Sequence, residues 1–596
     1  MAEMDEMTKE KGDTVPYYDE KEGSISEETD DGEEKLRRPT EEELQTLVRV
    51  ADDLPLAAML IVFCEFAERF SYYGTTKIFT NFIERPFPKG GNGAGAPPRG
   101  SGLNAGALDR GIETAVAVTT FFGLWAYISP IFGAIMADQY WGRFKTICIF
   151  TAIVGVGHVI LVACSIPSLL QHNPGGAFAG FMVSILIIGI GTGGIKANVS
   201  PLVAEQYNKH GQWVRTKKDG SKVIVDADLT IQRIFMWFYL LINVGSVGSI
   251  ATVWCEKIDR LLARILDTYH SSSYLLLPIV LFLGRNRYVK TPARGSILLE
   301  AVRVLKLAYG GLLTLNPYRA WRSFVAGPDW DAARPTPADL PAKARKSNIT
   351  WDSLFVDEIK RTLVACKVFV LYPLFWISYN QMTANLVNQA GYMHTGNTPN
   401  DLLGNLDPIA IIIIIPIMDR LVYPSIPRSA LRRFGIIVRP IQRISLGFFF
   451  ASAAMVYAAV LQHFINLKSP CGKFGNECSL GPAPINVWLQ APAYVLIGTA
   501  EIFTSITGLE YAYTKSPLRM KSVVFSLYFL TTAVSNAISL ALAPVSVDPF
   551  VLYNYVGCAG ASFIGGILFY ALFKNFDKEE AEMNEIGRSE QRRHTQ

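Results

Sequence analysis

Two carboxylates and a guanidinium, Glu65, Glu68 and Arg69, stand inside an otherwise apolar run from Leu54 to Ile83. On a helix they and Tyr72 fall at i, i+3, i+4 and i+7, one continuous polar stripe. Each such charge costs about 2.5 to 3.5 kcal/mol at a bilayer centre on insertion scales, so the stripe must face protein or a water-filled cavity. Intramembrane ionisable groups of this kind are functional candidates; the bland alternative is a structural polar knot between helices. Lys196 is a second such group, set in Gly189-Ile-Gly191-Thr-Gly193-Gly194-Ile-Lys196-Ala-Asn198-Val-Ser200-Pro201. A buried ammonium needs a carboxylate. Glu65 or Glu68 would supply one, giving either a pair whose protonation changes with conformation or a permanent ion pair. Glu501 lies near the middle of another long apolar run, where a bound ammonium would neutralise it; a structural hydrogen bond is the alternative. Asp138 can pair with Arg143 across a tight turn at Gly142 as a gate, or both can simply set topology.

The elements that must position these groups are membrane spans. The chain has 596 residues, half of them hydrophobic, with 34 Phe and a net charge of only +4. That balance places it among polytopic all-α membrane proteins and argues for a lipid bilayer and no nucleic acid as partner. A helical span needs about 20 residues. Candidates are Leu54–Ile83, Ile112–Ala137, Phe144–Ile166, Ala177–Ala204, Leu229–Trp254, Ile359–Tyr379, Leu403–Tyr423, Ile441–Ile465, Pro484–Tyr513, Val523–Pro544 and Val551–Phe573. A short sixth run, Tyr274–Gly284, follows the polar stretch Cys255–Ser273. Counting it gives about twelve spans and puts the basic clusters at Arg143 and Lys145, at Lys217, Lys218 and Lys222, at Arg428, Arg432, Arg433 and Arg439, and at Lys515, Arg519 and Lys521 on one side. Both termini are then cytosolic.

The expected organisation is a cytosolic acidic tail ending in a short helix capped by Thr40 and Glu43 (1–53), a six-helix bundle (54–284) and a cytosolic linker with a helical stretch at Ser296–Leu313 (285–357). A second six-helix bundle (358–574) and a cytosolic tail (575–596) complete it. Six of the eight cysteines lie in or beside apolar runs, which leaves Cys471 and Cys478 as a loop pair. No metal-ligand spacing and no nucleophile–base pair stands out, so no metal, cofactor or enzyme activity is expected.

Two six-span bundles joined by a long cytosolic linker resemble major facilitator carriers, whose substrate site lies at the midplane between the bundles. The run Gly133-Ala-Ile-Met-Ala-Asp138-Gln-Tyr-Trp-Gly142-Arg143-Phe-Lys145 resembles the loop motif between the second and third helices of that superfamily. More specifically, Glu-x-x-Glu-Arg-Phe-x-Tyr-Tyr-Gly from Glu65, Gly-Thr-Gly-Gly-Ile-Lys-Ala-Asn-Val-Ser-Pro from Gly191, and Phe238-Tyr239-Leu-Leu-Ile-Asn243-Val-Gly245-Ser246 are similar to signatures of the proton-dependent oligopeptide transporter family. Their order holds from Leu54 to Phe573, and the flavour is closest to fungal di- and tripeptide permeases. The resemblance implies a monomeric plasma-membrane symporter that moves di- or tripeptides with protons by alternating access.

By the same resemblance, Glu65, Glu68, Arg69 and Lys196 couple protons, with Lys196 also binding the substrate carboxylate. Tyr72, Tyr73, Tyr127, Tyr239 and Asn243 line the pocket; Trp376 belongs to a seventh-helix segment and Asn405 is a pocket amide. Glu501, with Ser505 one turn on, receives the peptide amino terminus, and Asp138 with Arg143 forms the gate. Two positions depart from the family pattern: Thr76, followed by Lys77, stands where many relatives carry a second arginine, and Asn380 stands where many carry an acid. Rival readings are a carrier of nitrate or a modified amino acid, and a transport-inactive nutrient receptor.

Overall fold

A computed structural model describes residues 37–91, 93, 95–98, 103–207, 209, 211–217, 219–258, 274, 276–290, 297–310, 327–335, 351–396, 398–421, 440–475, 478, 480–515 and 521–575. The basic positions Lys218, Arg428, Arg432, Arg433, Arg439 and Arg519, and most of Cys255–Ser273, lie outside the described residues.

Of the described residues, 37–50 and those within Gly211–Asp226 make one compact unit. Thr40 and Glu43 exchange side-chain and backbone hydrogen bonds of 3.3 and 3.0 Å at the start of α1 (Glu41–Thr46), the capping box that the sequence predicts. The chain then enters a strand, β1 (Arg49–Val50), which the sequence reading did not foresee. It pairs in parallel with β3 (Lys222–Asp226), and β3 pairs antiparallel with β2 (Gln212–Thr216). β-Branched Val223, Ile224 and Val225 are buried on β3, and Gly220, at φ +80°, makes the turn between β2 and β3.

The remaining described residues, within Ala51–His210 and Ala227–Gln596, make the second unit. Its first half holds α2 (Leu56–Thr76), α3 (Gly111–Met136), α4 (Arg143–Cys164), α5 (Pro174–Glu205), α6 (Ala227–Val247), α7 (Ser249–Ile258) and α8 (Leu276–Gly284). The linker helix α9 (Ile297–Ala308) buries Ala301, Val304 and Ala308 against Trp351, Phe355 and Ile359. Its second half holds α10 (Ser353–Cys366), α11 (Tyr372–Asn380), α12 (Leu406–Leu421), α13 (Pro440–Lys468), α14 (Ala491–Glu501), α15 (Thr507–Lys515), α16 (Lys521–Ala541) and α17 (Val551–Phe573). Short strands β4 (Met393–His394) and β5 (Ala483–Asn486) pair in parallel. Cys471 and Cys478 form a disulfide between α13 and β5, with Cα atoms 5.6 Å apart.

Among the described residues, 9 helical segments are long and apolar enough to cross a membrane, short of the expected twelve. The other three expected spans depart for separate reasons. Helix α2 has the length, at 21 residues, but carries Glu65, Glu68 and Arg69. Helix α12 is described over 16 residues. Helix α8 has 9 residues, a rise of about 14 Å against a hydrocarbon core of about 30 Å.

Asp52 anchors the approach to α2: its N–H donates to Thr230 Oγ1 at 2.8 Å, and its carboxylate meets Lys209 at 3.1 Å and Tyr207 at 3.2 Å. Burial pushes the Asp52 carboxyl up, but Lys209, the Asp53 N–H and Tyr207 outweigh it and hold it below the usual aspartate range.

In the first half α5 is the central helix, packed on α3 and α4. A methyl at Gly133 would lie 2.5 Å from Gly194 Cα, and one at Gly194 would overlap the Phe150 ring. Gly189, Gly191, Gly193 and Gly194 of α5 therefore allow a close approach to α3 and α4 that any side chain would block. In the second half Tyr372, Phe375, Phe448 and Phe569 form a buried aromatic stack. Gly194→Leu should cost about 1–3 kcal/mol by overpacking, read as a lower melting temperature of the detergent-solubilised protein; an unchanged melting temperature would contradict the close approach.

Candidate functional site

The α2 stripe folds onto itself. Glu65, Glu68 and Arg69 are 4%, 2% and 4% exposed, although all three are ionisable. Arg69 Nε lies 3.0 Å from Glu65 Oε1, four residues before it and so on the same helix face, and 2.5 Å from Oε2 of the adjacent Glu68. Its guanidinium carbon also sits 5.1 Å from the Tyr72 ring centroid. Glu65 Oε2 is buried with no hydrogen-bond donor among the described residues, which leaves an oxygen able to take a proton. Tyr73 meets Tyr72 edge to face, and Tyr72 stacks on Phe122.

Lys196 does not take Glu65 or Glu68 as a direct partner in this conformation. Its ammonium lies 3.6 Å from the Tyr127 ring centroid and 5.1 Å from that of Phe529 on α16, in the other half. Among the described residues no carboxylate comes within ion-pair distance of it. The physical reason is competition: Arg69 shares a helix with both acids and holds them by local geometry, whereas Lys196 must reach them from α5. The aromatic faces of Tyr127 and Phe529 stabilise the ammonium instead.

Glu501 ends α14 and accepts a 2.7 Å hydrogen bond from Tyr239 Oη of α6, a bond that crosses from one half to the other. The next residues, Ile502–Ile506, form a π-helical turn, a local widening often found at functional positions. Tyr372 donates to the Thr504 carbonyl in that turn at 3.2 Å, and Ser505 meets Tyr528 Oη at 3.1 Å. The second π-helical turn, Ala137–Trp141, carries Asp138 and leads into Gly142 at φ +73°. Arg143 forms an ion pair with Glu205 at the end of α5, an acid that the sequence reading did not include.

Three expected pocket residues are hydrogen-bonded to protein neighbours in this conformation. Asn243 donates to the Tyr239 carbonyl of its own helix at 2.9 Å. Trp376 is buried and donates to Thr531 Oγ1 at 3.1 Å. Asn405 accepts from Ser249 Oγ at 2.5 Å and so joins the halves. Asn380, which departs from the acid-bearing pattern, donates to Asn536 Oδ1 at 2.9 Å and Ser535 Oγ at 3.3 Å. Asp407, 4% exposed at the start of α12, went unremarked in the sequence, although a carboxylate inside an apolar run is itself the signal. A small pocket in the first half is lined by Glu68, Tyr72, His158 and Thr192.

The site thus has two walls. One holds two acids and two cations, Glu65, Glu68, Arg69 and Lys196, which together are neutral; the other presents Glu501 with a phenol donor. Removing Arg69 leaves two buried carboxylates without their cation. Arg69→Ala should therefore cost about 3–5 kcal/mol, seen as lost surface expression and a lower melting temperature. Adding Glu65→Gln and Glu68→Gln should recover part of that loss, and a stable single variant would contradict the pairing.

The POT family model matches residues 144–556. A peptide transporter of Candidozyma auris is 41% identical over 567 residues, covering 94% of this chain and 88% of its own length. A probable peptide transporter of Schizosaccharomyces pombe is 42% identical over 549 residues, covering 92% and 82%. The crystal structure of the POT family transporter PepTSo matches the fold with a TM-score of 0.62 at 20% identity, covering 88% of this chain and 99% of that one. By sequence across nearly its whole length, and by fold, the chain belongs to the POT family of membrane transporters.

Proposed function

We propose that this chain imports di- and tripeptides together with protons by alternating access. Relatives at about 40% identity that carry the name peptide transporter support the substrate class. The observation that carries the mechanism is the charge balance of the two walls. A zwitterionic peptide places its ammonium at Glu501 and its carboxylate at Lys196, so that groups in opposite halves hold opposite ends. The ammonium replaces the missing cation at Glu501. The carboxylate brings one excess negative charge to the neutral wall of Glu65, Glu68, Arg69 and Lys196. In a low-dielectric site that excess is costly, and one proton on Glu65 or Glu68 restores neutrality. Peptide and proton thus bind better together than apart, which is a coupling free energy and reciprocal.

Tyr72, Tyr73, Tyr127 and Tyr239 offer hydroxyls to the peptide backbone, and recognition of the main chain tolerates many side chains. Arg143 and Glu205 pair, with Asp138 five residues before Arg143, where helix ends would part and rejoin during the cycle. The bias of lysine and arginine supports cytosolic termini, and the relatives support a plasma-membrane carrier, which we take to act as a monomer. No enzymatic step enters this reading.

Uptake of a labelled dipeptide should be measured in cells lacking their own peptide permeases, at acid and at neutral outside pH. Wild type should take up peptide faster at acid pH. Glu501→Gln and Lys196→Ala should each lower uptake by about tenfold or more, since each removes one partner of a charge-assisted contact. Absence of uptake by surface-expressed wild type would overturn the reading.

A further inference from the structure

Asp407 is a buried carboxylate that the two-walled site leaves without a task. Its Oδ1 has no hydrogen-bond donor among the described residues. It faces α14, where a methyl at Gly498 would lie 3.0 Å from that oxygen, and Glu501 is three residues further along the same helix face. From the other half comes Lys77, the residue that ends α2. Its ammonium donates to the Gly404 carbonyl at 3.1 Å, one helical turn before Asp407. Asp407, Asp401 and Glu501 all act on the Lys77 ammonium. The same end of α2 is joined across the halves by Asn81 to Asn400 and Asp401, each at 2.8 Å, and by Thr80 to the Thr383 carbonyl at 3.2 Å.

We propose that Lys77 and Asp407 form an electrostatic latch between the two halves, which closes when an amine occupies Glu501. The inference rests on the reading that Glu501 receives the substrate ammonium. In the empty carrier three carboxylates, Asp407, Asp401 and Glu501, act on one ammonium, and the group carries two excess negative charges. A bound amine neutralises Glu501, frees Lys77 for Asp407, and removes one of the two. Closure at this end is then electrostatically cheaper with an amine-bearing ligand inside, which makes the latch a specificity device as well as a gate.

Thr80→Cys is the reporter, because Thr80 is 1% exposed at the joint the latch would hold. The full-length chain in nanodiscs, open on both faces, is labelled with a maleimide, and the rate is taken above that of the parent. In the Thr80→Cys background labelling should be slow, and a dipeptide should slow it further while its N-acetylated form should not. Lys77→Ala should raise the rate about tenfold, and both Lys77→Ala and Asp407→Asn should abolish protection by dipeptide. Lys77→Arg, and the exchange Lys77→Asp with Asp407→Lys, should keep labelling slow. Protection of Asp407→Asn by dipeptide equal to that of Thr80→Cys alone, or an exchange no slower than Lys77→Ala while Lys77→Arg also labels fast, would overturn the latch. Failure of the transport reading is told apart from this: wild type would then take up no dipeptide and show no protection, while the difference between Lys77→Ala and Lys77→Arg in ligand-free labelling would still report on the latch.

Discussion

Arg69, held between Glu65 and Glu68 on one helix inside the apolar part of the chain, is the interaction on which the rest of the structure depends. A lone carboxylate there would be neutralised by protonation and a lone guanidinium would be expelled; together they persist at the cost of one excess negative charge. That excess has to be met from outside α2. Lys196 supplies it at a distance, resting on Tyr127 rather than bonding an acid. The ammonium is therefore close enough to balance the helix and free enough to bind a second anion. A direct ion pair would have been more stable and less useful.

The packing follows from that demand. A lysine can sit deep in α5 because its glycines let α3 and α4 approach the backbone, filling space that side chains would otherwise occupy. The opposite wall uses another device. After Glu501 the helix widens into a π turn, and the carbonyls this disturbs are taken up by buried hydroxyls such as that of Tyr372. Tyr239 then spans the two halves to hold the carboxylate. Each charged group is thus kept in lipid-like surroundings by neighbours that can rearrange, which a transport cycle requires and a static core would not.

What the sequence made legible was local. The stripe of Glu65, Glu68, Arg69 and Tyr72 is set by helical spacing alone, and the family signatures on α2, α5 and α6 led to the fold and the transporter family. The capping box at Thr40 is local for the same reason. Contacts fixed by tertiary structure were not legible. Lys196 was expected on an acid that Arg69 holds, and the bond between Asn405 and Ser249 joins residues 156 positions apart. Glu205 reads as a helix-end charge until Arg143 folds against it. Asp407 escaped notice because it opens an apolar run, where an acid reads as a favourable first-turn residue of a helix. The β2–β3 hairpin read only as a basic loop that sets topology, since its pairing with β1 is non-local.

The central claim is that a proton on the α2 acids balances the peptide carboxylate. Proteoliposomes with an imposed proton gradient test it most directly, by comparing concentrative dipeptide uptake with exchange of external for internal dipeptide. Wild type should do both, and Glu68→Gln, which fixes one acid in its neutral form, should keep exchange while losing accumulation driven by the gradient. Accumulation by Glu68→Gln equal to that of wild type would contradict the account.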